Sequence, residues 1–259
     1  MGDIRKVVFE ENKLVKAFPV GISINQIVAH NSYHQDNRIK LKPGDFIKID
    51  FGLIQESNII DSARTFVYQG DSTKIKAIRD AEIITKKIEE YIREEIEMKG
   101  IVSIQKISAL THELIVANGY HSLGLIGGHS IEYGKVHGKK LILNKPLNLL
   151  PVQAKNYIDE NWTLTSDEMF AIEIYLPEYK ADGELIQNVN IPITHYEVNS
   201  DIKVLEKISK EEQEVLDKIK EKTLGLVYEY ILNKEFNSKI IKFFVANCFI
   251  HFYSRLYAF

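Results

Sequence analysis

The sequence predicts an α+β fold, and three observations carry that prediction. Residues 17–68 alternate short apolar runs with turn signals, residues 73–118 carry two helical periodicities, and strand patterns then return before a charged helical stretch that starts near 201. The first segment holds LKPGDFIKIDFG, where Pro43-Gly44-Asp45 turns the chain into alternating apolar residues. VVFEENKLV, nearer the start, reads as a hairpin with Asn12 in its turn.

Residues 73–98 read as a long amphipathic helix. Ile75, Ile78, Ala81, Ile84, Ile88, Tyr91 and Ile96 recur at three or four with one gap, and Gly100 stops the helix. A second helix runs from Ser103, as N-cap, to Asn118, with Gly119 at its C-cap and Ile104, Ile107, Leu110, Leu114 and Ile115 on its apolar face. Strands return in LIGGHSIEYGKVHGKKLIL and MFAIEIYL. KISKEEQEVLDKIKEKTLGLVYEYIL and then SKIIKFFVANCF read as helical.

The 259 residues are 45% hydrophobic and 27% charged, enough to bury a sizeable core. The net charge of −3 gives no general pull toward nucleic acid or an anionic membrane. One cysteine, Cys248, rules out a disulfide framework within the chain and thiolate zinc patterns. MGDIRKVVFEENK has no apolar signal-peptide core, and Asn247, His251 and Arg255 interrupt the apolar FFVANCFIHFYSRLYAF. The expectation is a cytoplasmic protein without a membrane span.

Several acids and histidines stand out. Asp50 and Asp61, eleven positions apart in KIDFGLIQESNIID, each follow an apolar run, with Gly52 and GLIQESN reading as a hairpin loop between them. An ionised carboxylate in apolar surroundings needs a partner, and two carboxylates on one face of a hairpin repel unless a cation lies between them. Taken singly, each also reads as a strand-end or turn aspartate. Glu173 interrupts the apolar run MFAIEIYL, which is costly unless it is paired, ligated or turned outward on an edge strand. His129 follows Gly127 and Gly128; His137 comes eight residues later, on the same face if one strand ran unbroken past Gly134. His30 ends the run QIVAH as a simple strand-end histidine. Asp, Asp, His and Glu together suit Mn, Co, Fe or Zn, and bridging carboxylates suggest two ions of the kind that activate water for hydrolysis. No phosphate-cradling glycine loop is present.

FPVGISINQIVAH, KIDFG, IIDSARTF, GGHSI with KVH, and FAIEIY occur in that order. The set resembles type 2 methionine aminopeptidases, metalloenzymes of the pita-bread fold, over residues 17–256. The resemblance implies two divalent metal ions, with Asp50, Asp61, His129 and Glu173 as ligands and Glu173 also as proton shuttle. It implies that His30 and His137 touch the substrate, that Phe18, Gly21 and Val136 line the methionine pocket, and that Tyr253 is a pocket wall. It further implies action on the N-terminal methionine of peptides and nascent proteins, beside the ribosome. TLGLVYEYI and IHFYSRL resemble parts of a helical insertion, so residues 200–256 are expected to form an insertion within one domain spanning 1–259.

Two departures shape the expectation. The family's last ligand, a glutamate in a QFEHT-like strand, has no counterpart before Phe259, and Glu235 in NKEFNSK falls inside the insertion. The expectation is therefore a chain shortened at both ends, its last strands and fifth ligand missing. LNKPLNLLPVQAKNYIDENWTL reads as a surface insertion. Two alternatives are a non-catalytic pita-bread protein that binds ribosomes or nascent chains, and a proline-specific peptidase of the same fold. Retention of four ligands disfavours the first. The FPVGISIN opening disfavours the second.

Overall fold

The structure, a computed structural model, describes residues 15–32, 40–55, 58–152, 158–177, 186–187, 195–198, 210–223, 228–229, 250–253 and 256–257. Its elements are β1 (Val15–Lys16), β2 (Gly21–Ile24), β3 (Ile27–Ala29), β4 (Phe46–Gln55), β5 (Asn58–Val67), α1 (Lys76–Lys99), β6 (Ile101–Ser103), α2 (Ile104–Ala117), β7 (Gly127–Ile131), β8 (Leu141–Leu143), β9 (Thr163–Thr165), β10 (Met169–Ala171), β11 (Ile186–Gln187), β12 (His195–Val198), α3 (Lys210–Thr223), β13 (Tyr228–Glu229), β14 (Ile250–Tyr253) and β15 (Leu256–Tyr257). They divide between two compact units, one of Met1–Arg64, Tyr133–Val136 and Gln187–Leu256, the other of Thr65–Glu132, His137–Ile186 and Tyr257–Phe259.

In the first unit β4 lies between β1 and β2 and also pairs with β5. β2 and β4 run antiparallel with Gly21 opposite Asp50 and Ile24 opposite Ile47. The end of that ladder is pinned by Asn25, at φ 50°, whose side chain accepts from Phe46 N at 2.9 Å and donates to Asp45 at 3.0 Å. The expected loop at Gly52 is instead strand. β4 continues to Gln55, and a Cβ on Gly52 would come within 2.3 Å of the Phe18 ring, so this glycine serves close packing rather than a turn. A separate sheet of the same unit runs β13-β12-β14.

The second unit is built on two helices and small sheets. α1 begins after a turn capped by Asp71, which accepts from Thr73 N at 3.1 Å, and stops at Gly100, whose φ of 75° favours glycine. Its buried residues are Ile84, Ile88 and Ile92. Ile92 fills the gap in the periodicity read from the sequence. Ser103 stands at the N-cap of α2 without a side-chain cap bond; Ile104 N donates instead to Trp162 O at 3.0 Å. Ile88, Ile104, Ile107, Ile115 and Leu164 are fully buried in one cluster with Val102 and Ile142. Removing this much apolar surface from water is the main driving force for the unit.

α1 and the end of α2 are also clasped by polar contacts. Tyr120 Oη donates to Asp80 Oδ2 at 2.7 Å, Lys76 pairs with the same carboxylate, and Lys76 Nζ lies 5.0 Å above the Tyr120 ring. Burial pushes the Asp80 carboxyl up, but the hydrogen bonds from Lys76 and Tyr120 outweigh it and hold the group below its usual 3.8.

Two small sheets stand beside the helices: the three-stranded β10-β7-β8, in which β7 is central, and the pair β6-β9. His129 faces Ala171 on one side and Leu141 on the other. Gly128 makes the close approach possible, because a Cβ there would lie 2.0 Å from the Ala171 carbonyl oxygen.

Several sequence expectations are revised. MFAIEIYL is strand only to Ala171. Phe170, Ile172, Ile174 and Leu176 still pack on the core, so the alternation outlasts the ladder. His129 and His137 do not share a strand, since β7 ends at Ile131 and Gly134 turns at φ 67°. The supposed surface insertion is partly core: Leu143, Leu150 and Ile158 form a buried cluster. The helix expected from 207 to 232 is α3 to Thr223, and Tyr228–Glu229 is a strand paired with β12. Tyr253 sits in β14, opposite His195. The hairpin around Asn12 and the helix over SKIIKFFVANCF lie outside the described residues.

Gly128→Ala should cost about 1–3 kcal/mol in urea denaturation, because the new methyl meets backbone that cannot move aside without breaking the β7–β10 ladder. Asp80→Asn should lower stability at neutral pH. The folded pKa lies below 3.8, so the wild-type advantage is present above that value and shrinks as the pH falls through the folded one; thermal melts at pH 7 and near pH 3 test it.

Candidate metal centre

Each unit carries part of the predicted residue set, and each part has its own local cause. In the first unit Asp50 sits in the interior of β4, opposite Gly21. A Cβ on Gly21 would stand 3.2 Å from that of Asp50, so glycine keeps the space above the carboxylate clear. Asp61 lies on β5, which pairs with β4; both aspartates are half-buried. Lys48, two residues before Asp50 in the same strand, donates from Nζ to Asn25 O at 2.6 Å, and burial pushes its ammonium down to about 8. Phe18 is buried against Gly52, and Val136 is buried as well. His30 is half-buried and adopts φ 60°, an uncommon left-handed backbone for a residue with a Cβ.

In the second unit the structure brings three predicted residues together. His129, buried in β7, has Nε2 3.2 Å from Glu173 Oε1, and its Nδ1 lies 3.1 Å from the carbonyl of Ser130. With Nδ1–H donating to that carbonyl, Nε2 is the nitrogen that carries the lone pair and is oriented as a ligand atom. The His137 ring packs edge-on to that of His129 with centroids 4.6 Å apart. The chain turns at Gly134, the break the sequence allowed for, and the two imidazoles still meet. Glu173 leaves the core side because its neighbours Ile172 and Ile174 take it. Its second oxygen, Oε2, accepts from Tyr175 Oη at 2.7 Å.

Two residues that hold this arrangement had no signal as site residues in the sequence. One is Tyr175. The other is Asn144, only 1% exposed, whose Nδ2 donates to Glu173 O at 2.6 Å and whose Oδ1 accepts from Tyr175 N at 2.9 Å. An imidazole nitrogen facing a carboxylate oxygen on a fixed backbone is a donor set that fits a divalent metal ion of the Mn-to-Zn series.

Comparison with known proteins agrees with this chemistry. The chain is 30% identical over 135 residues to a methionine aminopeptidase of Thermococcus onnurineus, a match that covers 50% of the chain and 43% of the relative. It is 27% identical over 234 residues to a methionine aminopeptidase of Saccharolobus solfataricus, covering 89% and 68% respectively. The chain spans about half the length of the Thermococcus relatives, 43% and 52%. Among solved structures, that of a thermophilic Arx1 superposes with a TM-score of 0.68 over 97% of this chain and 72% of the other, at 13% identity, which speaks to the fold alone. No helix among the described residues is long and apolar enough to cross a membrane. The sequence profile of metallopeptidase family M24 matches residues 2–225, and with the motifs in their order the chain belongs to that family and has its pita-bread fold.

Proposed function

We propose that the chain is a metal-dependent aminopeptidase of the type 2 methionine aminopeptidase kind, acting in the cytoplasm on the N-terminal methionine of peptides and nascent proteins. The observation that carries this reading is the pairing of His129 Nε2 with Glu173 Oε1 at 3.2 Å in a chain of a metallopeptidase family. The methionine aminopeptidases among its relatives support the choice of substrate.

Asp50, Asp61, His129 and Glu173 are the proposed ligands of two divalent ions drawn from Co, Mn, Fe and Zn. Bound there, such ions make hydroxide available near neutral pH and polarise the scissile carbonyl. The remaining steps belong to the side chains. Glu173 takes a proton from the attacking water at a carboxylate oxygen and passes it to the leaving nitrogen. His137 donates from its ring to the carbonyl oxygen as negative charge develops there, and His30 holds the scissile amide. Phe18, Gly21, Val136 and Tyr253 line the pocket for the methionine side chain. The burial of Phe18 and Val136 supports an apolar lining, which suits a thioether better than a charged side chain.

The test is release of methionine from a Met-Gly-Ser peptide by the full chain, with each of the four metals added in turn. Release is expected with at least one metal and should fall to background in Asp61→Ala. Folded protein that releases nothing with any of the four overturns the reading and turns attention to non-catalytic binding of ribosomes or nascent chains. Release that survives Asp61→Ala removes Asp61 from the ligand set.

A further inference from the structure

The ladder of β10 ends at Ala171, two residues before Glu173. Beyond it, backbone groups of Glu173 and Tyr175 need partners, because a buried amide or carbonyl left unpaired is costly. The Asn144 side chain meets both: it donates to the Glu173 carbonyl at 2.6 Å and accepts from the Tyr175 amide at 2.9 Å. Its carboxamide has the donor and acceptor of a peptide group, so it serves as a one-residue substitute for a neighbouring strand. Asn144 is itself fixed, since its backbone N–H donates to Ile126 O at 3.0 Å and it is 1% exposed. The segment it holds then folds Tyr175 back so that Oη donates to Glu173 Oε2 at 2.7 Å, while Oε1 faces His129.

We propose that Asn144 and Tyr175 are positioning residues that restrict Glu173 to presenting a single oxygen, Oε1, on the His129 side. Asn144 fixes where the Glu173 backbone stands. Tyr175 fixes how its carboxylate is turned and keeps Oε2 engaged. A carboxylate with both oxygens at liberty can rotate or chelate; one tethered through Oε2 meets a metal through one atom in one direction. Such outer contacts orient a ligand before it binds. This inference rests on the reading of Glu173 as a metal ligand.

The decisive variant is Tyr175→Phe, which removes only the hydroxyl. In the metal-free full chain, the ring nitrogens of His129 are followed by ¹⁵N NMR; the Nε2 signal should shift when Glu173 is released to rotate. In calorimetric titration with Mn²⁺, affinity should fall about 10- to 100-fold. A folded Tyr175→Phe chain with an unmoved His129 signal and wild-type Mn²⁺ affinity overturns the proposal, because a purely structural tyrosine would move neither. Should wild-type chain take up no metal at all, the proposed function fails, and the His129 signal alone then decides the positioning: shifted, it stands; unmoved, it falls. Asn144→Asp puts an acceptor against the Glu173 carbonyl and should perturb the same signal. Should that variant not fold, Tyr175→Phe carries the test.

Discussion

The close approach of β7 to β10 is the constraint on which the rest of the second unit depends. Two extended segments can come this near only where no side chain stands between them, and Gly128 supplies that absence opposite the Ala171 carbonyl. The register then follows, with His129 opposite Ala171 and Glu173 two residues further on. The imidazole and the carboxylate meet because the backbones do. On the other side of the same segment, Phe170, Ile172, Ile174 and Leu176 are drawn into the cluster formed by α1, α2 and β8. Hydrophobic burial on one face thus aims the polar residues on the opposite face.

A similar logic serves the first unit. Asp50 is held inside β4, at the end of its ladder with β2 and with Gly21 opposite, so its side chain has room without a neighbour's methyl group in the way. Gly52 admits the Phe18 ring against the strand. Glycines at 21, 52 and 128 share one task, to shape space beside a functional side chain or a pocket residue; none of the three has a positive φ.

Much of this was legible in the residues, and the reasons for success and failure are physical. α1 and α2 declare themselves because burial at Ile84, Ile88, Ile104, Ile107 and Ile115 repeats with the helical period, and Gly100 ends α1 as glycine should. Asp50, Asp61 and Glu173 announce themselves as charges in apolar sequence. What misled was local reasoning about turns. Gly52 looks like a loop residue but packs in a strand, and the even spacing of His129 and His137 matters less than the turn at Gly134 across which they meet. Helical periodicity also carries no warning of the strand at Tyr228–Glu229, because pairing with β12 is a long-range event. Asn144 is illegible for the same reason: its partners lie 29 and 31 positions away, and nothing in LILNKP marks it.

The use of an asparagine in place of a strand has a cost in mutational tolerance. A backbone ladder is made of groups that every residue but proline carries, so its members can drift in identity while the pairing survives. The bond pair made by Asn144 has no such redundancy. Aspartate has the acceptor without the donor, leucine has neither, and glutamine places both a methylene further out. The placement of Glu173 is therefore written in one codon at position 144 rather than spread over a strand. A single base change in that codon could unseat a side chain that is distant in sequence and intact in every one of its own atoms.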